Sequence, residues 1–111
     1  MYDHIESAKI MGIYIKIDRI SQHGVKGRYK VGTQAFGGAD CYIEIDKQKR
    51  TITFFLDPTF ITPIRVVDLT NENEVVGTLP NIDSRIIARV IMRSMAAMEQ
   101  EEFPEFLDYA A

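Results

Sequence analysis

Pro80-Asn81-Ile82-Asp83-Ser84-Arg85-Ile86-Ile87-Ala88-Arg89-Val90-Ile91-Met92-Arg93-Ser94-Met95-Ala96-Ala97-Met98-Glu99-Gln100-Glu101-Glu102-Phe103 is the stretch that decides the fold. It is the one long segment with helical periodicity. Ile87, Ile91, Met95 and Met98 recur at spacings of four, four and three, flanked by Ile86 and Val90, which makes a stripe broad enough to pack on a sheet. Asp83 suits the N-cap, because its carboxylate can accept from a first-turn amide. Ile82 and Ile87 then take the two positions of a hydrophobic staple. Pro104 disfavours helical geometry at Phe103, so the spacing predicts a helix over about 83–102. Arg85, Arg89 and Arg93 recur every four residues on another face, expected in water.

Upstream the period changes from helical to twofold. Ile13, Ile15 and Ile17 alternate with Tyr14, Lys16 and Asp18 in a first strand. Ser21-Gln22-His23-Gly24 has turn composition. Val25, Gly27, Tyr29 and Val31 then alternate with Lys26, Arg28 and Lys30 to complete a hairpin. Thr33 to Asp40, with Gly37-Gly38, reads as a loop. Cys41, Ile43 and Ile45 head a third strand, and Thr51 to Asp57 a fourth with Ile52, Phe54 and Leu56 inward. Pro58 ends it, lacking the donor a ladder needs. Ile64–Leu69 and Val75–Leu79 supply the fifth and sixth. Strands in succession followed by one helix define an α+β domain spanning 1–111, an antiparallel sheet of about six short strands within 10–79 with the helix on one face. A short acidic, aromatic tail, 103–111, is expected to form one more short turn or helix.

The totals narrow the class of protein. One hundred and eleven residues at 46% hydrophobic suit one domain with its own core. A single cysteine, Cys41, forms no internal disulfide. The absence of a long apolar run and the acidic start at Asp3 and Glu6 predict a cytoplasmic protein. Two histidines and one cysteine match no metal spacing, so no metal or cofactor is expected. Residues 1–50 hold nine Lys/Arg and six Asp/Glu, a charge of +3. Residues 51–111 hold four and ten, a charge of −6.

Three functional readings follow. Glu99, Glu101, Glu102, Phe103, Glu105, Phe106, Asp108 and Tyr109 interleave carboxylates with aromatics near a helix C-terminus, where negative charge opposes the helix dipole. Such a segment suits recognition of a basic protein, with carboxylates steering the encounter and aromatics anchoring it. The first reading is therefore a non-catalytic protein-binding module, such as a small cytoplasmic inhibitor or immunity protein covering a basic nuclease toxin. A second is a small enzyme or ligand-binding domain with a pocket near His23 and Cys41, a possible base and nucleophile. A third is an RNA- or DNA-binding module using Lys26, Arg28 and Lys30 with Tyr14 or Tyr42, against which the acidic pI of about 5.3 argues. Gly37-Gly38 lacks the Lys-Ser/Thr of a phosphate loop and leads into a strand, so it reads as a turn.

Overall fold

A computed structural model of the chain describes residues 14–32, 40–71, 74–77, 82, 84–107 and 109–110. Among the described residues seven strands, β1 (Tyr14–His23), β2 (Lys26–Gly32), β3 (Cys41–Asp46), β4 (Thr51–Phe55), β5 (Arg65–Asp68), β6 (Glu74–Gly77) and β7 (Tyr109–Ala110), accompany one helix, α1 (Ser84–Met98). The sheet runs β6-β5-β4-β3-β2-β1-β7, every neighbouring pair antiparallel. The α+β class holds, with strand order following chain order except at β7, where the end of the chain returns to the β1 edge.

Alternation decides the faces. Ile15, Ile17, Gly27, Tyr29, Val31, Cys41, Ile43, Ile45, Ile52, Phe54 and Val67 lie buried on one face. They form one core with Ile87, Val90, Ala97 and Met98 of α1. Burying that face is the main driving force of folding, because each fully buried Ile or Phe contributes about 1.5–3 kcal/mol.

The helix differs from its expected form in length and rotation. It stops at Met98 rather than near Glu102: the amides of Glu99 and Gln100 tighten onto Ala96 O and Ala97 O at 3.2 and 3.1 Å. Pro104 is therefore not what stops it. The buried stripe is Ile87, Val90, Ser94, Ala97 and Met98, and Met95 turns outward at 41% exposure. Small Ser94 and Ala97 let the helix backbone approach the sheet, which a Met95-centred face would prevent. Ile82 packs against the core, whereas Asp83 lies outside the described residues.

In β4 the inward set ends earlier than the alternation suggests. Leu56 is exposed, and Phe55 is buried on the far face, where Tyr42 and Phe60 meet its side of the sheet. Val25, expected inward, is exposed in the β1–β2 turn, whose Gly24 has φ +58° as a left-handed glycine. Ile13, most of the Gly37-Gly38 loop and the expected end of the sixth strand at Leu79 lie outside the described residues.

Candidate functional site

The acidic, aromatic segment after α1 is neither helical nor a loose tail. It is stitched across the end of the sheet and then along its β1 edge. Lys47 Nζ donates to Gln100 O and Glu101 O at 2.6 and 3.1 Å, placing a cation just beyond the helix C-terminus, the end that the dipole makes favourable for one. Asp46 holds Lys47's turn, accepting from the Gln48 and Lys49 amides at 2.9 Å each. Arg50 Nη2 meets Glu99 Oε2 at 3.3 Å.

Beyond Glu102 the backbone is gripped by β1 and β2. Arg19 Nη1 donates to Phe103 O at 2.7 Å, and Tyr29 OH to Pro104 O at 2.6 Å. The Arg19 amide donates to Glu105 O and the Leu107 amide to Ile17 O, each at 2.8 Å. Tyr109 then pairs with Ile15 in the short β7 ladder.

These bonds sort the candidate residues. The Phe103 ring is 2% exposed: it fills the space over Gly27, stacks edge-on with Tyr29 at 6.4 Å, and lies 4.5 Å from Lys47 Nζ. It belongs to the core and presents no ring to a partner. Leu107 is likewise buried. Glu99, Glu101, Glu102 and Glu105 remain exposed, together with Phe106 at 58%. Phe106 lies opposite Asp18 as an antiparallel bridge, which places it on the sheet face away from α1. Asp108 lies outside the described residues, and of Tyr109 only the backbone is described.

Gly27, Tyr29, Arg19 and Lys47, which hold this segment, escape a reading by motif. One signal was present in the chain: a glycine inside an alternating strand marks a place where something approaches closely.

His23 and Cys41 are not brought together. His23 pairs with Lys26 at one end of β2, and Cys41 with Val31 at the other, so the strand separates them by about 17 Å. Cys41 faces the core, and burial, aided by the Asp40 carboxylate, pushes its thiol up to about 12. A thiolate nucleophile needs the opposite shift.

The β2 cations also change meaning in three dimensions. Lys30 stands between Asp18 and Tyr42, Arg28 beside Glu44, and Lys26 beside Asp46. Arg28 Nε is 2.8 Å from Glu44 Oε2, and its guanidinium lies 4.5 Å from the centre of the Phe60 ring. A stripe that is basic along the chain is flanked by carboxylates across the sheet.

Among the described residues no cluster of three metal-ligating side chains occurs, and no helix is long and apolar enough to cross a membrane. Compared with family models, curated proteins and solved structures, the chain matches none.

Proposed function

We propose that the protein is a non-catalytic binding module of the cytoplasm whose exposed carboxylates Glu101, Glu102 and Glu105, with exposed Phe106 on the same anchored segment, cover a basic protein partner. A small inhibitor of a nuclease toxin has this character, since carboxylates compete for the surface where such an enzyme takes phosphate. The observation that carries the reading is the anchoring of the backbone from Gln100 to Leu107 by Lys47, Arg19, Tyr29 and Ile17. A segment already ordered loses little conformational entropy on binding, so its carboxylates and ring can act as a preformed patch. Of the eight residues named from the chain, Phe103 leaves this patch, because its ring is inside.

The test is complex formation with the product of the neighbouring gene, and protection from that product's activity. Glu101→Lys, Glu102→Lys and Glu105→Lys should slow association and make it less salt-dependent, whereas Phe106→Ala should speed dissociation. A folded protein that forms no complex and gives no protection overturns the proposal. So does a complex indifferent to all four substitutions.

A further inference from the structure

The segment that closes the β1 edge is held as a peptide from another chain would be. Arg19 Nη1 and Tyr29 OH donate to the carbonyls of Phe103 and Pro104, while ladder bonds join Arg19 N to Glu105 O and Leu107 N to Ile17 O. Two of its side chains enter the core, Phe103 on the Gly27 floor and Leu107 four residues on. Main-chain bonds, with pockets for spaced side chains, are how a sheet edge takes up an extended strand.

The tether to this segment is short. The Lys47 amide donates to Val25 O, so the β1–β2 and β3–β4 turns share one end of the sheet. The chain reaches that end along α1, where Lys47 meets Gln100 O and Arg50 meets Glu99. Past Phe103 it leaves again, antiparallel to β1. The reversal falls between Gln100, whose amide still bonds Ala97 O, and the buried Phe103. Only Glu101 and Glu102 lie between them, both exposed and of like charge. A short, constrained connection of this kind invites exchange of whatever lies beyond it.

We propose that two copies of the chain exchange this segment about a twofold axis, each laying the stretch that begins at Phe103 along β1 of the other. No new bond is needed. Arg19, Tyr29, Gly27 and Ile17 of one copy receive the same Phe103, Pro104, Glu105 and Leu107, now from the other. A foreign peptide would have to displace a tethered segment and leave it stranded, whereas two copies that exchange leave both sites filled. Once one segment has crossed, the second crossing is intramolecular, so the exchange costs a single association. An extended connection also sets the side chains of Glu101 and Glu102 on opposite sides of the chain, which relieves their repulsion. The exchange does not rest on the basic partner proposed above.

The experiment is sedimentation velocity on the full chain, refolded from urea at rising concentration so that each segment can take either site. The wild type should show a species of twice 12.7 kDa whose share grows with the refolding concentration. Deleting Glu101 and Glu102 should leave only that species: Gln100 and Phe103 become neighbours with Cα atoms about 3.8 Å apart, and the ring cannot reach its own socket. Inserting Gly-Ser-Gly after Glu101 should leave only the monomer. Gly27→Ala and Phe103→Ala separate exchange from any other pairing. Refolded apart, each variant carries its own fault. Refolded together, an exchanged pair joins Gly27 to an intact Phe103 in one site, and the added methyl to the missing ring in the other. The mixture should then unfold at a higher urea concentration than either variant alone. A wild type that stays monomeric at every refolding concentration overturns the proposal. So does a folded monomer from the deletion, or a mixture no more stable than its parts. Where the shortened chain does not fold, the mixture decides.

Discussion

Gly27 is the second residue of β2, a position where most residues would strengthen the strand. A Cβ built there would lie 2.6 Å from Phe103 Cδ1, so the glycine is the floor on which that ring rests. Gly27→Ala should therefore destabilise the protein by about 1–3 kcal/mol through overpacking. Phe103→Ala should cost about 3–5 kcal/mol through the cavity it leaves. The informative measurement is their combination in urea: with the ring gone, Gly27→Ala should become nearly neutral, giving a large coupling. Additive effects would mean that the two residues do not share this space.

Cys41 and Tyr29 make a second statement at this scale. Burial raises the thiol from 9.0 to about 12, and raises the Tyr29 phenol from 10.0 to about 12 against the lowering field of Arg19. The unfolded chain therefore releases these protons at lower pH than the folded one. Their stabilising contribution is full below about pH 9 and is lost as pH climbs towards 12. Urea midpoints should fall over that window, and Cys41→Ala should flatten its lower half, near pH 9 to 10.

Among the elements, the strap after α1 does the least expected work. Its composition suggests carboxylates and aromatics turned to a partner, yet Phe103 and Leu107 enter the core and the backbone closes the β1 edge. An uncovered edge strand invites pairing with other chains. A chain ending at Glu102 should lose cooperative unfolding, bind a hydrophobic dye and aggregate. A truncated chain that remained soluble with the same urea midpoint would show the strap to be dispensable. The helix repeats the lesson in milder form: periodicity located it, but Ser94 and Ala97 rather than Met95 face the sheet, because close approach outweighs hydrophobic size.

For the whole molecule, charge is where chain order and space part company. The basic first half and acidic second half suggest two opposed surfaces. Folding instead lays Lys47 and Arg50 against the segment that begins at Glu99, and sets Asp18, Glu44 and Asp46 beside the β2 cations. What survives is the exposed carboxylates of Glu101, Glu102 and Glu105 along the anchored segment. The sequence alone determined the α+β class, most of the strands and the presence of one C-terminal helix, because alternation and helical period are local and follow from which side chains must leave water. Where the chain end lies, that Phe103 belongs to the core, that His23 and Cys41 stand apart and which charges remain exposed were decided by tertiary structure. Each of these depends on pairing between distant residues, which the spacing of neighbours along the chain does not encode.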